Sequence, residues 1–98
     1  MGTFTALFAI ADLLAFGAYK ALSEAGKRIP EDVSVMGYDG LPMTQYYMPS
    51  LTTVEQPRRQ MVQAAVDILN EAISGNDESV KQIVFDTKII ERDSVKTI

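Results

Sequence analysis

The stretch Val33-Ser34-Val35-Met36-Gly37-Tyr38-Asp39-Gly40 and, after a loop, Leu51-Thr52-Thr53-Val54-Glu55-Gln56-Pro57 decide how this chain folds. The first segment reads as a buried strand that stops at a glycine and presents an aromatic and a carboxylate. The second reads as a short strand handing over to a helix opened by a proline, the position where a missing N–H is tolerated. Upstream, Thr5-Ala6-Leu7-Phe8-Ala9-Ile10 is a continuous apolar run, as expected of a strand covered on both faces. Asp12 follows it, placed to cap the next helix by accepting an orphan backbone N–H. That helix is predicted from about Leu13 to Ala25, with Gly26 as its left-handed stop. A strand, a helix and a strand in succession form a βαβ unit, which requires a parallel strand pair and a right-handed crossover.

The remaining elements follow from punctuation. Lys27-Arg28-Ile29-Pro30-Glu31-Asp32 is a polar turn in which Pro30 stops the helix, and Val33 to Tyr38 is the second strand. Leu41 to Ser50 is a loop with Pro42, Pro49 and the exposed-looking set Tyr46, Tyr47 and Met48. Leu51 to Glu55 is the third strand and Pro57 to Ser74 the second helix, with Gly75 just past its end. Asn76-Asp77-Glu78-Ser79 is a turn, Ile83 to Ile90 a fourth strand, and Glu91-Arg92-Asp93-Ser94 a polar tail. The fold class is α/β with a mainly parallel sheet.

On the first helix Leu14, Ala18, Ala21, Leu22 and Ala25 share a face that should pack on the sheet. Phe16 and Tyr19 point away from that face. They are either scattered surface aromatics or a second buried surface against another chain. On the second helix an apolar arc from Met61 to Ile73 leaves only a narrow polar stripe of Gln63, Asp67, Asn70 and Ser74. Such an arc is wider than one sheet covers, so this helix calls for a further neighbour.

Ninety-eight residues suffice for one small domain. Nine basic and thirteen acidic side chains give a net charge of −4, which argues against a phosphate-gripping surface. The sequence holds no cysteine and no histidine, so thiolate chemistry and the commonest general base and metal ligand are all missing. Carboxylate-only catalysis is what would remain to an enzyme. Thr3 to Tyr19 is apolar, but no Lys or Arg precedes it, Asp12 interrupts it, and it is too short to span a bilayer. Met1-Gly2 reads as an added start, with the natural chain beginning elsewhere. The glycines match no phosphate-binding spacing and the carboxylates are too dispersed for a metal cage, so neither a cofactor nor a metal is expected.

In open α/β sheets ligands sit in the crevice beyond the carboxyl ends of the strands, which is where Tyr38 and Asp39 fall. An aromatic beside a carboxylate suits a polyhydroxylated ligand, the ring packing on C–H groups while the carboxylate accepts from hydroxyls. Asp39 is equally readable as an Asx turn in Tyr38-Asp39-Gly40, and Tyr38 as core packing. Asp12 can cap its helix, touch a ligand, or do both. Gln56, at a strand–helix junction, is a hinge or pocket residue or a plain exposed side chain, and Arg58-Arg59 a solvated pair.

Taken together, the residues resemble LacI/GalR-type bacterial transcription regulators. The resemblance runs through Thr5-Ala6-Leu7-Phe8-Ala9, Asp12-Leu13-Leu14-Ala15-Phe16-Gly17-Ala18, Ala25-Gly26 and Pro30-Glu31-Asp32-Val33-Ser34-Val35. It continues through Gly37-Tyr38-Asp39 and Pro49-Ser50-Leu51-Thr52-Thr53-Val54-Glu55-Gln56-Pro57, and ends with Arg92-Asp93-Ser94, similar to the family's closing arginine and serine. It implies the C-terminal part of an effector-binding core, a partial Rossmann-like three-layer fold similar to periplasmic sugar-binding proteins, with residues 57–90 crossing into a second subdomain. It implies that Asp39 binds effector hydroxyls, that Asp12 and Gln56 line or brace the pocket, and that Phe16 and Tyr47 lie on a dimer interface, to which Tyr19 adds. Where the family usually has Asn or Ser before the aspartate, this chain has Ala11. The implied protein is a cytoplasmic, non-catalytic homodimer that binds a sugar or nucleoside. It would reach operator DNA only through an N-terminal helix-turn-helix, and no membrane. The rival is a fragment of a periplasmic-type sugar-binding protein of a transport system.

Overall fold

Short β-branched and apolar runs separated by one helix build the sheet that the sequence calls for. The computed structural model describes residues 3–75 and 82–97. Its elements are β1 (Ala6–Phe8), α1 (Asp12–Glu24), β2 (Ser34–Asp39), a 3-10 turn (Pro42–Tyr46), β3 (Thr52–Glu55), α2 (Arg58–Ile73) and β4 (Lys88–Ile90). The four strands lie in the order β1-β2-β3-β4. β1 and β3 flank β2 in parallel, with Leu7 opposite Val35 and Tyr38 opposite Val54. β4 runs antiparallel to β3, with Ile89 opposite Val54.

The chain divides into two compact units, Met1–Glu55 with Lys88–Ile98, and Gln56–Thr87. In the first unit α1 packs on the sheet, and Ala9, Ala15, Leu22, Val33, Val35, Tyr47 and Leu51 form the core, with Leu7, Tyr19 and Ile29 against it. Val35 and Leu51 are fully buried; each contributes about 1.5–3 kcal/mol by leaving water.

Several expectations are corrected here. β1 is not covered on both faces: Leu7 and Ala9 join the core, whereas Phe8 and Ile10, pointing the other way along the strand, are exposed. The inward face of α1 is Asp12, Ala15, Tyr19 and Leu22, and Leu14, Ala21 and Ala25 face out. The stripe is rotated because it begins on a polar residue, Asp12, whose carboxylate is fully paired inside the fold. β2, expected from Val33 to Tyr38, runs from Ser34 to Asp39. Tyr47, grouped with exposed residues, is buried, while Tyr46 and Met48 are exposed as expected. β4 is shorter than Ile83 to Ile90, because β3 offers partners only to Lys88, Ile89 and Ile90 before the chain turns at Pro57. The expected turn at Asn76 to Ser79 lies outside the described residues.

The segment after β4 is no loose tail. Ser94 is fully buried; its hydroxyl donates to the Val35 carbonyl and accepts from Thr52 N–H, and its carbonyl takes Val35 N–H at 2.9 Å. Arg92 donates to the Leu51 carbonyl at 2.9 Å and to the Thr44 hydroxyl. These bonds close the sheet where β2 and β3 begin.

In the second unit α2 has no buried residue, and Val62, Leu69 and Ile73 are exposed. Within its polar stripe Gln63 Nε2 donates to Asp67 Oδ1 at 3.0 Å.

Candidate functional site

The site is organised by the end of β2. Asp39, the last strand residue, has φ 129°, and Gly40 follows at φ 75°. Positive φ is unusual for a residue with a Cβ and persists only where the surroundings over-determine it. Gly40 must be glycine for a second reason: a Cβ there would lie 2.6 Å from Glu55 Cα on the neighbouring strand. Tyr38 and Asp39 are both half-buried, at the carboxyl end of a parallel strand pair.

Asp12 holds this turn in place, and not by capping its own helix. It occupies the first position of α1, whose N-cap is Ala11 with no side-chain cap bond. The side chain is fully buried. Its Oδ2 accepts Leu41 N–H at 2.7 Å, and its Oδ1 accepts the Thr53 hydroxyl at 2.6 Å. Thr53 Oγ1 in turn accepts Gly40 N–H at 3.3 Å. Gly37 provides the room: a Cβ at that position would collide with Asp12 Oδ1 and approach Leu51 Cδ2 to 2.8 Å. Its place inside an otherwise β-branched strand is the sequence signal of such a close approach. Thr53 itself was not singled out from sequence, because nothing local distinguishes it from Thr52.

The aromatic residues gather on the adjoining side of α1. The Tyr47 hydroxyl donates to the Asp12 carbonyl at 3.1 Å. Its ring lies 5.2 Å from Phe16 and 5.5 Å from Tyr19, the latter edge-on. Tyr19 donates to the Pro49 carbonyl at 2.8 Å. Burial pushes the Tyr19 phenol up to about 12, and burial followed by the Asp12 carboxylate raises that of Tyr47. Phe16 stays 59% exposed, so it is the ring this cluster offers outward, with Tyr47 packed beneath it. Beside it runs a groove of about 570 Å³ between Phe16, Tyr19, Lys20, Met48 and Pro49.

Of the predicted ligand residues, Asp39, Tyr38 and Asp12 are thus brought together at one strand end of the first unit. Gln56 is half-buried and opens the second unit. Arg58 and Arg59 are exposed. Among the described residues no group of His, Cys, Asp and Glu could hold a metal ion, and no helix is long and apolar enough to cross a membrane.

Comparison with known proteins places this geometry in context. The periplasmic binding protein-like domain family matches residues 3–95. The HTH-type transcriptional regulator MalR of Clostridium butyricum is 42% identical over 90 residues, covering 92% of this chain and 27% of that protein. The HTH-type transcriptional repressor PurR of Vibrio atlanticus (strain LGP32) is 43% identical over 94 residues, covering 96% and 28%. A LacI family transcriptional regulator from Enterococcus faecalis V583, solved with bound ribose, superposes with a TM-score of 0.87 at 43% identity, covering 93% of this chain and 34% of that one. The transcriptional regulator CelR–cellobiose complex gives a TM-score of 0.87 at 33% identity, covering 92% and 28%. The chain therefore spans less than a third of the length of these curated relatives. By sequence and by structure, it belongs to the periplasmic binding protein-like domain family, in the branch carried by LacI/GalR-type transcription regulators.

Proposed function

We propose that this chain supplies the C-terminal part of the effector-binding core of a DNA-binding transcription regulator, and that the effector is a sugar or another polyhydroxylated small molecule such as a nucleoside. The observation that carries this reading is the Tyr38-Asp39-Gly40 turn. A carboxylate residue is held at φ 129° beside an aromatic, beyond the end of a parallel strand pair. A carboxylate there accepts two hydroxyls of one ligand through charge-assisted bonds, and the neighbouring ring suits the ligand's C–H face. The ribose and cellobiose bound to two related regulators are ligands of that chemistry. In this scheme Ala11 contributes no polar contact. Gln56, where the chain leaves the first unit, keeps its pocket or hinge assignment on the resemblance alone.

The rest of the assignment follows from the same family. Residues 57–87 cross into a second subdomain, a reading supported by the boundary of the second unit at Gln56 and Thr87 and by the exposed apolar side chains of α2; Lys88–Ile90, expected to cross with them, instead pair with β3 in the first unit. Two copies associate through the face that carries Phe16, Tyr19 and Tyr47, for which the exposed Phe16 ring is the support. DNA is contacted through a helix-turn-helix elsewhere in the whole protein, which works in the cytoplasm and performs no catalysis. Effector binding shifts the balance between two arrangements of the core and so alters operator affinity. The named relatives favour a regulator over a transport protein.

The test is calorimetric titration of the complete gene product and its Asp39→Ala variant with ribose, cellobiose and adenosine. Loss of a charge-assisted contact costs about 2–3 kcal/mol, a weakening of roughly 30- to 150-fold. Unchanged affinity in the variant, or no binding of any probe to the unaltered protein, refutes the assignment.

A further inference from the structure

We propose that Thr53 and Asp12 are positioning residues for the ligand contact of Asp39, acting through the two peptide groups that follow it. The inference rests on the reading of Asp39 given above. Asp39 and Gly40 are consecutive residues at positive φ, at 129° and 75°. A residue with a Cβ does not stay at φ 129° unaided, since that value lies outside even the left-handed well that aspartate tolerates. The next two amides are both tied down. Gly40 N–H donates to Thr53 Oγ1 at 3.3 Å, and Leu41 N–H donates to Asp12 Oδ2 at 2.7 Å. The Thr53 hydroxyl donates to Asp12 Oδ1 at 2.6 Å, so one carboxylate and one hydroxyl form a single bridge across both amides.

The bridge is rigid for identifiable reasons. Asp12 and Thr53 are both fully buried, so water does not compete for their bonds. Asp12 sits in the first turn of α1 and Thr53 in the middle of the sheet, anchored at Thr53↔Gly37 and Thr53↔Ile90. The Asp12 backbone carbonyl also accepts the Tyr47 hydroxyl at 3.1 Å. Residues 41–47 are thus pinned to one residue at both ends, by the Leu41 amide and by the Tyr47 phenol. Neither Thr53 nor Asp12 needs to touch the ligand: their bonds fix where the Asp39 backbone is.

The discriminating experiment is a double-mutant cycle on the complete gene product, read as affinity for whichever of ribose, cellobiose and adenosine binds the unaltered protein. Thr53→Val keeps the β-branched shape and removes the hydroxyl; Thr53→Ser keeps the hydroxyl. Affinity is measured well below each variant's melting temperature, so a loss of stability alone leaves it unmoved. The expected result is a weakening of about tenfold for Thr53→Val, recovery to near the original value for Thr53→Ser, and little further effect of Thr53→Val in an Asp39→Ala background. If valine is not tolerated, Thr53→Ala takes its place in the same cycle. Equal affinities for Thr53→Val, Thr53→Ser and the unaltered protein overturn the positioning role while the Asp39 reading stands. Fully additive losses for Thr53→Val and Asp39→Ala overturn it too, since Thr53 would then act independently of Asp39. An Asp39→Ala variant that binds normally, or a protein that binds none of the probes, removes the Asp39 reading and the positioning role with it.

Discussion

Two glycines of the first unit share nearly the same φ and differ in what surrounds them, which allows strain and crowding to be separated. Gly26 has φ 72° and nothing within 4 Å of where a Cβ would lie. Gly40 has φ 75°, and a Cβ there would meet Glu55 Cα at 2.6 Å, Cβ at 2.7 Å and Cγ at 2.8 Å. Placing an alanine at positive φ costs about 1–2 kcal/mol, less about 0.4–1 kcal/mol regained because alanine restricts the unfolded chain. Gly26→Ala is therefore expected to lose about 1 kcal/mol. Gly40→Ala bears that cost plus overpacking of about 1–3 kcal/mol. The larger half of that range applies because two of the atoms met, Cα and Cβ of Glu55, cannot swing aside as a side-chain tip can. At about 4–8 °C per kcal/mol for a domain of this size, Gly40→Ala should melt at least about 8 °C below Gly26→Ala, followed by circular dichroism at neutral pH. Equal melting temperatures, or a smaller loss at Gly40, would refute the close approach of β2's end to β3.

Ser94→Ala should destabilise by about 1–3 kcal/mol in chemical denaturation, because the Thr52 N–H and Val35 carbonyl it bridges are left buried without that partner; no measurable loss would mean the segment after β4 does not clamp the sheet. For Tyr19 the sign is set by a phenol raised by burial to about 12 from 10.0. The unfolded chain then loses its proton first, so stability held below pH 10 should fall between pH 10 and 12, and Tyr19→Phe should flatten that decline. Phe16→Asp should leave the fold intact, since the ring is 59% exposed, yet shift a homodimer to monomer in light scattering at micromolar concentration; unchanged assembly would place the association face elsewhere.

How much could be read in advance varied with the range of the interactions involved. The βαβ order, the end of α1 at Gly26 and the opening of α2 after Pro57 depend on neighbours in sequence, and all were legible. The direction faced by α1 was not. Hydrophobic periodicity selects Leu14, Ala18 and Ala21, whereas the true inward stripe starts at Asp12, a residue that any apolar scale places outside. Only the distant partners Thr53 and Leu41, 41 and 29 residues away, make its burial affordable. β4 was overextended for a related reason: the run from Ile83 to Ile90 has strand character throughout, but the length of its partner β3 decides where pairing ends. In the site, Asp39 and Tyr38 were legible as a pair because a glycine turn at a strand end is a local signal. That Asp12 serves β2's turn and not its own helix depends on tertiary pairing alone.

The same pairing explains how a core this small can hold a strained turn. The first unit buries few large apolar side chains, with Val35 and Leu51 the largest of them that are fully covered. Apolar packing is non-directional, and a few residues of it cannot dictate φ at one position. Hydrogen bonds to buried acceptors can, because a bond lost there is not replaced by water. The first unit places such bonds at both ends of β2: Ser94 and Arg92 where β2 and β3 begin, Asp12 and Thr53 at the turn where β2 finishes. Among the described residues no buried side-chain nitrogen or oxygen lacks a partner. Each clamp adds little net stability, but each excludes alternative arrangements that would orphan a buried group. A sheet fixed in this way can keep Asp39 in a conformation its own preferences resist, and on the proposed role of Asp39 its geometry for ligand hydroxyls is set before any ligand arrives.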